Sequence, residues 1–416
     1  MSFSPLDEAL GLTQEGFSPG VVRLAVRQAT KAPSFKEASD DLKELAGLAI
    51  SPAHLDRLAD RIGREWAQAR DQDVAAFGQG ELAPQTAVAP TVAAVMLDGG
   101  RLQTRAAEAG PGVQEPGWRE TKVACCLTLQ SRERAVDPEP QPPKGLLDPA
   151  RVARLAAEIR ARGSGGGPRS TRPAERPRRR RRRRPRQRTR PQPLVRTVVA
   201  TMASSEVFGW QVAAEVHRRR LGEAQRKACV CDGQKYNWSI YALHLVALGF
   251  VAVLDLIHLV AWLYAAAQAT GSDKVAAWGL YESWLRLAWS GQVKLLLRQL
   301  RAEAARRGEP PPGAKEDDPR KVLADAVGYV QNNRDKMDYP AYRRLGLPIS
   351  SAPVESTIKQ VNRRVKGTEK FWLEGDAEAM LQLRAAYLSQ DDRLRRHWAR
   401  PRPRGRAVGG GRLGRR

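Results

Sequence analysis

Three short apolar runs in this chain each end on an aspartate, and no other feature constrains the fold as much. The runs are "TVAAVMLDGG" with Asp98, "KACVCDG" with Asp232 and "FVAVLDLIHL" with Asp255. A strand that ends on a carboxylate and then turns holds the charge at the rim of a sheet. If these strands are neighbours, the carboxylates form a chemical site; if they are not, each is a turn aspartate. Strand and helix patterns alternate through residues 196–256, which indicates an α/β sheet with some parallel strands.

The longest apolar stretch, "YALHLVALGFVAVLDLIHLVAWLYAAAQA", looks like a membrane span at first. His244, Asp255 and His258 interrupt it and Gly249 breaks its period, so the sequence favours a helix, a turn, a strand and a second helix. The helical pattern then continues to about Arg344. We interpret the large aromatic side chains of this segment as core residues: Trp262, Tyr264, Trp278, Tyr281, Trp284 and Trp289.

Helix start signals follow one another in the first 70 residues. Ser34 has Glu37 three positions later, which is the spacing of a capping box, and Ser51 is followed by a proline, which favours a helix start. Two short helices joined by a tight turn are typical of a helix-turn-helix, although a generic three-helix bundle fits the pattern equally well. Arg57 and Arg61 on the polar side of the second helix favour DNA binding.

The positive charge of the chain is large and unevenly distributed. Seventy Lys and Arg residues face 45 acidic residues, for a formal net charge of +25 over 416 residues. Thirteen arginines and one acidic residue lie between Arg169 and Arg190, and ten arginines and no acidic residue lie between Arg393 and the end. Such a surplus attracts polyanions, usually nucleic acid, with an anionic membrane surface as the rival. Prolines interrupt the first arginine run, which argues against amphipathic membrane helices, and we expect both basic segments to be disordered.

The four cysteines do not have the spacing of a zinc site. Cys125 and Cys126 are adjacent, and Cys229 and Cys231 are one residue apart in an apolar run. Zinc ligands usually recur in pairs two to four residues apart, so we predict buried free thiols and a reducing cytoplasm. The first residues, "MSFSPLDEALGL", lack the basic and then apolar pattern of a signal peptide.

A third type of acidic position comes late in the chain. Glu355 lies in the first turn of a predicted helix that begins near Pro353. Together, Asp98, Asp232 and Glu355 are the kind of oxygen ligands that hold two Mg²⁺ ions for phosphodiester chemistry. Because the chain has 45 acidic residues, the pattern alone leaves a chance grouping open.

Four stretches together carry a more specific signal. The segments "VMLDGG", "VCDGQKYNW", "VLDLIHLV" and "GLPISSAPVESTIKQVNRRVKGTEKFW" resemble DDE-type transposases of bacterial insertion sequences. In particular, they are similar to the Kra group, which is related to the Mutator-like superfamily. The last stretch is the most specific, and the resemblance covers roughly residues 20 to 390, with the Arg-rich segment as an exception.

The resemblance implies an RNase H-like catalytic core that a helical insertion splits between the second aspartate and the glutamate. It implies that Asp98 and Asp232 lie on neighbouring strands and that Glu355 comes from the helix after the insertion. These three residues would then be both the catalytic and the metal-binding set, with two Mg²⁺ ions as cofactors and Mn²⁺ as a substitute.

A second motif leaves one assignment open. Asp255 and His258 are similar to the C/D-x-x-H motif of the superfamily, which lies between the second aspartate and the glutamate. We interpret the pair as groups that support the ligands or the fold. Asp255 also ends a strand, however, so it competes with Asp232 for the role of second ligand, and His258 could equally be a core histidine.

Basic residues follow Glu355 on the same predicted helix. Lys359 and Arg363 share a helical face with Glu355, and Arg364 is adjacent. We predict that these cations contact DNA phosphates, although a solvated basic helix has the same pattern.

These patterns predict an α/β protein with an RNase H-like mixed sheet core, an all-helical insertion, an N-terminal helix-turn-helix-like domain and disordered basic segments. The predicted function is a transposase that hydrolyses phosphodiesters at the ends of its element and joins the freed 3′-hydroxyl to target DNA. The expected partners are double-stranded DNA and further copies of the chain, in the bacterial cytoplasm, with no membrane. An RNase H-like nuclease without strand transfer and an inactive, transposase-derived DNA-binding protein are the alternatives.

The predicted segments are a helical domain (1–88), the first part of the catalytic core (89–134), a linker (135–195), the second part of the core (196–256), the helical insertion (257–345), the C-terminal part of the core (346–390) and a basic tail (391–416).

Overall fold

A mixed β-sheet lies at the centre of the residues that the structure, a computed structural model, describes: 12, 16–105, 117–163, 189–367 and 370–399. The strand order is β3-β2-β1-β4-β5, and β6 pairs with β1. β1 is antiparallel to β2 and parallel to β4, while β2 is antiparallel to β3 and β4 is parallel to β5. The alternating pattern of the sequence correctly predicts this mixed α/β architecture. The strands are β1 Val92–Thr104, β2 Gly117–Gln130, β3 Gln192–Thr201, β4 Arg226–Cys231, β5 Val251–Leu254 and β6 Phe371–Trp372.

Fourteen α-helices surround the sheet in the described part of the chain. Local signals determine where several of them begin. Ser34 accepts a hydrogen bond from Glu37 N at 3.1 Å, and Ser51 accepts one from His54 N at 3.3 Å, so both predicted caps are confirmed. The helices are α1 Pro19–Lys31, α2 Phe35–Ala46, α3 Pro52–Gly78, α4 Pro149–Gly163, α5 Ser205–Arg218, α6 Lys235–Ile240, α7 Leu256–Ala269, α8 Lys274–Trp289, α9 Val293–Arg307, α10 Pro319–Asn333, α11 Tyr339–Arg344, α12 Ala352–Val365, α13 Glu374–Leu388 and α14 Arg393–Ala399.

The sheet separates two hydrophobic cores because successive side chains of a strand point to opposite faces. On β1, Val92, Ala94 and Met96 face a large core that also contains residues of α1–α3 and α7–α13. Val95 and Leu97 face a smaller core under α5 and α6. Alternate residues of a strand therefore contact different sets of helices.

The N-terminal helices share the large core with the sheet. α3 is 27 residues long, whereas the sequence predicts a short helix there, and it packs along α13. Gly63 permits this close contact, because a Cβ at that position would lie 2.5 Å from the carbonyl oxygen of Ala379. In the described residues, α1–α3 do not have a core of their own.

Arg364 connects α12 to these N-terminal helices. Its side chain is 2% exposed, its Nε donates to Ala29 O at 2.7 Å, and its guanidinium lies 4.3 Å from the ring centre of Phe35. It also lies 5.2 Å from the ring centre of Trp372, whose Nε1 donates to Val365 O. The prediction that Arg364 contacts DNA is wrong, because a side chain enclosed by three helices cannot reach a phosphate backbone.

The aromatic side chains between β5 and α12 are core residues, as the sequence predicts. Three are fully buried, namely Tyr281, Trp284 and Trp289. Trp262, Tyr264 and Trp278 are partly buried and pack against the same core.

Part of the predicted linker, residues 135–195, is structured. It contains α4 and the start of β3, and residues before α4 pack on the helices that follow β5. Asp137 pairs with the buried Arg343, and Glu139 O accepts a hydrogen bond of 2.7 Å from Trp289 Nε1. These partners lie about 150 to 200 positions away, so composition could not reveal them. Most of the arginine run and the tail after 399 lie outside the described residues, and the prediction of disorder there stays a prediction.

The four cysteines are free and buried, as the sequence predicts. Cys125 lies in the large core, and Cys126, Cys229 and Cys231 lie in the small one. Among the helices of the described residues, none has both the length and the apolar character that crossing a bilayer requires.

Replacing Arg364 by Ala should destabilise the protein by about 2–3 kcal/mol, because the change removes a buried hydrogen bond and two ring contacts and leaves a cavity. Urea unfolding measures the difference. Arg363→Ala, at the exposed neighbouring position, is the control and should shift the free energy of unfolding by no more than about 0.5 kcal/mol. Equal effects of the two changes would contradict the connecting role of Arg364.

Candidate metal centre

Asp98, Asp232 and Asp255 lie side by side where the parallel pairing of the sheet ends. Asp232 and Asp255 directly follow β4 and β5, as the sequence predicts. The prediction that β1 also ends at Asp98 is wrong, because β1 continues to Thr104 through its pairing with β2, in which Asp98 is opposite Val123. In the parallel pairs, Leu97 is opposite Cys231, and Cys231 is opposite Leu254. Asp98, Asp232 and Asp255 are therefore the next residues on three adjacent strands, β1, β4 and β5. The sequence could not establish that these strands are neighbours, and the structure places them side by side.

The same three aspartates also point to one face of the sheet. Each aspartate comes two residues after an apolar residue that faces the large core, and residues two apart in an extended segment point to the same face. These apolar residues are Met96 before Asp98, Val230 before Asp232 and Val253 before Asp255. α12 packs on this face and contributes Val354 and Ile358 to the core. Cys125 Sγ on β2 lies 3.2 Å from Thr357 Oγ1 of α12, which fixes the helix over the strands. Glu355, in the first turn of α12, is thereby brought to the aspartates.

Asp98 and Asp232 each keep one carboxylate oxygen available. Asp98 Oδ1 accepts a hydrogen bond from Gly99 N at 2.7 Å. Asp232 Oδ1 accepts from Gln234 N at 3.1 Å and from Asn237 Nδ2 at 3.0 Å. No described residue donates a hydrogen bond to Oδ2 of either aspartate. One oxygen orients each group, and the other can bind a cation.

Asp255 is bonded differently. It is fully buried, and its two oxygens accept from Ile257 N, His258 N and Ser351 N at 3.2, 3.2 and 2.9 Å. Its Oδ2 also lies 2.6 Å from His258 Nδ1. Asp255 therefore caps α7, orients His258 and holds the residue that precedes α12. This saturated bonding favours Asp232 over Asp255 as the second ligand.

The site carries an excess of negative charge. Burial and the nearby charge of Asp232 raise the pKa of Asp98 to about 7. Burial also raises the pKa of Asp232, although the charge of His258 opposes the shift. Burial alone would lower the pKa of His258, but its hydrogen bond with Asp255 and the charges of the aspartates raise that pKa to about 9. The His258 imidazolium thus offsets part of the repulsion between the carboxylates, as a metal cation would.

The tightest group of ligand atoms differs from the predicted triad. Atoms of Asp255, His258 and Glu355 lie within 4.8 Å of one another. Glu355 Oε1 also lies 3.4 Å from Ser351 Oγ. The charges of Asp232, His258 and Glu355 all act on Asp98, so the five groups form one electrostatic cluster. Both oxygens of Asp255 already accept hydrogen bonds. In contrast, Oδ2 of Asp98 and Oδ2 of Asp232, the two predicted aspartates, accept none from the described residues.

Sequence reasoning missed two residues of the cluster. Asn237 orients Asp232, and the buried Tyr236 hydroxyl lies near β1, where a Cβ on Gly99 would approach it to 3.1 Å. Tyr236 Oη has no hydrogen-bond partner among the described residues. The signal was available, because both residues stand in the "DGQKYNW" segment that opens α6 just after Asp232.

The residues predicted to contact DNA lie on two helices and differ in how exposed they are. Lys359 and Arg363 are exposed on α12, although Lys359 also lies 3.5 Å from Glu158. On α3, Arg57 is exposed and Arg61 is half-buried. An ion pair as exposed as Lys359–Glu158 contributes little and would not prevent a phosphate contact.

A scan against protein-family models finds no match, and a search of curated proteins also finds none.

The charge excess predicts an unusual pH dependence in the metal-free protein. The pKa of Asp98 is about 7 in the folded protein against 3.8 ordinarily, and that of His258 is about 9 against 6.5. The folded state therefore holds protons that the unfolded chain has lost, and stability should fall as pH rises from about 4 to about 9. Asp98→Asn should raise the melting temperature at pH 8 in EDTA more than at pH 4, as measured by circular dichroism.

Asp273→Asn is the matched control for this experiment. Asp273 caps α8 at an exposed position, and Asn caps helices about as well as Asp. A gain in Asp98→Asn that is the same at both pH values, or is matched by the control, would contradict the charge excess.

Proposed function

We propose that the protein is a DNA transposase whose Asp98, Asp232 and Glu355 hold two Mg²⁺ ions, with Mn²⁺ able to replace them. The observation that carries the proposal is the convergence of two aspartates, Asp98 within β1 and Asp232 after β4, with a glutamate from more than 120 positions further along the chain. Burying carboxylates together costs stability, as the raised pKa values of Asp98 and Asp232 indicate, and a cation would offset that cost.

The order of elements supports an RNase H-like core as part of the proposal. Asp98 lies within β1, and Asp232 directly follows β4, the parallel neighbour of β1. Helices α7–α11 separate these strands from α12, which carries Glu355. This is the order that the resemblance to DDE transposases implies for two core segments and a helical insertion.

The donor set suits Mg²⁺. Hard divalent cations prefer carboxylate oxygens, and Asp98 and Asp232 each have an oxygen that receives no hydrogen bond from the described residues. When bound, two such ions activate the attacking oxygen and stabilise the leaving oxygen of a phosphodiester. The protein's own groups prepare the site: Asn237 orients Asp232, Asp255 orients His258, and the Ser351–Asp255 bond sets where α12 begins.

In this proposal DNA approaches the exposed side of α12. Lys359 and Arg363 follow Glu355 at one-turn intervals and would contact phosphates beside the scissile bond. The net charge of +25 supports a polyanionic partner. Arg57 and Arg61 on α3 would contact the ends of the element, and a multimer would hold two ends together.

Asp98→Asn, Asp232→Asn and Glu355→Gln should each lower Mg²⁺-dependent cleavage of element-end DNA by at least about 10³-fold, because each removes a charged metal ligand. DNA binding, measured by fluorescence anisotropy, should stay close to that of the unmodified protein. Asp255→Asn should act through positioning and cost only about 10–100-fold.

Full cleavage by Asp232→Asn together with none by Asp255→Asn would move the second ligand to Asp255. Binding of DNA without any cleavage in Mg²⁺ or Mn²⁺ by the unmodified protein would support the inactive DNA-binding protein instead.

Joining of a pre-cut end distinguishes a transposase from a nuclease. With a labelled end that carries a free 3′-hydroxyl, the protein should join this end covalently to a target plasmid, because hydrolysis and strand transfer are both in-line displacements at phosphorus. Gel electrophoresis of the products measures the joining. A matched end with a 3′-dideoxy terminus is the control and should give no joined product. Cleavage of uncut ends without joining of pre-cut ends would favour the nuclease.

A further inference from the structure

Helix α10, one of the helices between β5 and α12, covers the turn that follows β4. The hydroxyl of Tyr329 on α10 donates a hydrogen bond of 2.8 Å to Asp232 O. The ring of Tyr329 also stacks on Trp262 of α7, with ring centres 5.1 Å apart and an interplanar angle of 23°. A second helix thus holds Tyr329 in place while its hydroxyl bonds to the backbone of the proposed second metal ligand.

Asn333, one turn later on α10, bonds to the helix that follows the same turn. Its side chain is 2% exposed, and its Nδ2 donates to Tyr329 O at 2.9 Å. Its Oδ1 accepts a hydrogen bond of 2.9 Å from Trp238 Nε1 on α6. The neighbouring Asn237 on α6 donates to Asp232 Oδ1 at 3.0 Å. Asn333 therefore holds the helix whose side chain orients the Asp232 carboxylate.

The residue after Asp232 packs directly against α10. Gly233 has a φ of 97°, a conformation that residues with a Cβ rarely adopt. A Cβ at this position would lie 2.7 Å from Tyr329 Cε2 and 3.3 Å from Asn333 Nδ2. Because no space separates the turn from α10, a displacement of α10 would displace Asp232 as well.

The two proposed aspartate ligands differ in how the sheet supports them. Asp98 lies within β1, where it is opposite Val123 of β2, so the pairing of the strands holds its backbone. Asp232 directly follows β4 and lies in the turn. Its position therefore depends on contacts from outside the sheet, and α10 and α6 provide them.

We propose that Tyr329 and Asn333 are positioning residues for metal binding, which hold Asp232 so that its Oδ2 stays available to the cation. This inference rests on the proposed function and adds a role for the helices between β5 and α12. Groups that orient metal ligands without touching the metal strongly affect metal affinity.

Isothermal titration calorimetry of the full chain with Mn²⁺ tests the proposal. Tyr329→Phe removes the hydroxyl and keeps the ring that stacks on Trp262. It should weaken Mn²⁺ binding by about tenfold, as expected for the loss of a group that orients a metal ligand. Asn333→Leu, which nearly keeps the side-chain volume, removes two hydrogen bonds and should weaken Mn²⁺ binding at least as much.

Tyr342→Phe is the matched control. Tyr342 Oη donates a hydrogen bond of 3.1 Å to Ala252 O of β5, so this change also removes a bond between a hydroxyl and the backbone of the sheet, but not at a proposed ligand. Its Mn²⁺ affinity should stay unchanged, while the melting temperature without metal should fall about as far as in Tyr329→Phe. Equal losses of Mn²⁺ affinity in the two variants would overturn the proposal, and so would an unchanged affinity in Tyr329→Phe.

The Mg²⁺ dependence of DNA cleavage separates a positioning residue from a ligand. Tyr329→Phe retains the Asp232 carboxylate, so the half-saturating Mg²⁺ concentration should rise about tenfold while the rate at saturating Mg²⁺ stays within about threefold of that of the unmodified protein. Asp232→Asn should not recover at any Mg²⁺ concentration. A lower saturating rate at an unchanged half-saturating concentration would contradict the positioning role.

Asp98→Asn shows which of the two proposals fails. If Asp98→Asn strongly weakens Mn²⁺ binding, the metal site is supported, and the comparison of Tyr329→Phe with Tyr342→Phe decides the positioning role alone. Mn²⁺ binding that does not depend on Asp98 would overturn the proposed metal site and, with it, the role of Tyr329 and Asn333.

Discussion

Repulsion between carboxylates at one edge of the sheet is the constraint on which the rest of the site depends. Parallel pairing of β1, β4 and β5 places three aspartates side by side: Asp98 within β1, and Asp232 and Asp255 directly after β4 and β5. Burial raises the pKa values of Asp98 and Asp232, so ionising these two groups opposes folding. Burial alone would also raise the pKa of Asp255, but the hydrogen bond and charge of His258 and the backbone hydrogen bonds lower it. The pKa of Asp98 is raised, and the pKa of His258 is raised as well, so that the imidazole keeps its proton. His258 thus supplies a cationic group among the aspartates that offsets part of their repulsion.

Asp255 makes that compensation possible, and its role is structural as much as electrostatic. A single buried carboxylate caps α7, orients His258 and bonds to the backbone of Ser351, where the chain returns from the helices that follow β5. A change in how those helices pack would reach Glu355 through this one group. The assignment of Asp232 as the ligand and Asp255 as its support follows from their bonding, since the first keeps an open oxygen and the second does not.

What the sequence predicts well here is local. The caps at Ser34 and Ser51, and the ends of β4 at Asp232 and of β5 at Asp255, depend on residues within a few positions. The predicted end of β1 at Asp98 is wrong, because pairing with the distant β2 extends the strand to Thr104. The prediction for Arg364 failed because its partners, Ala29 and Phe35, lie more than 300 positions away in the chain and convert a surface pattern into a core contact. The pairing of Asp137 with Arg343 was not predicted for the same reason, because the two residues lie 206 positions apart in the chain. Which strands are neighbours likewise depends on the strand order of the sheet, and no local sequence pattern contains that order.

Buried charges in this protein find partners over long distances. Arg343 is paired with a carboxylate 206 positions away, and Arg393 with one 178 positions away. This pairing is incomplete, because Arg343 Nη1 and Arg364 Nη2 are buried without a partner among the described residues. An unpaired polar atom is therefore not by itself a sign of a ligand in this fold. The oxygens of Asp98 and Asp232 that accept no hydrogen bond point to a cation because they stand together, beside Glu355, in one group of interacting charges.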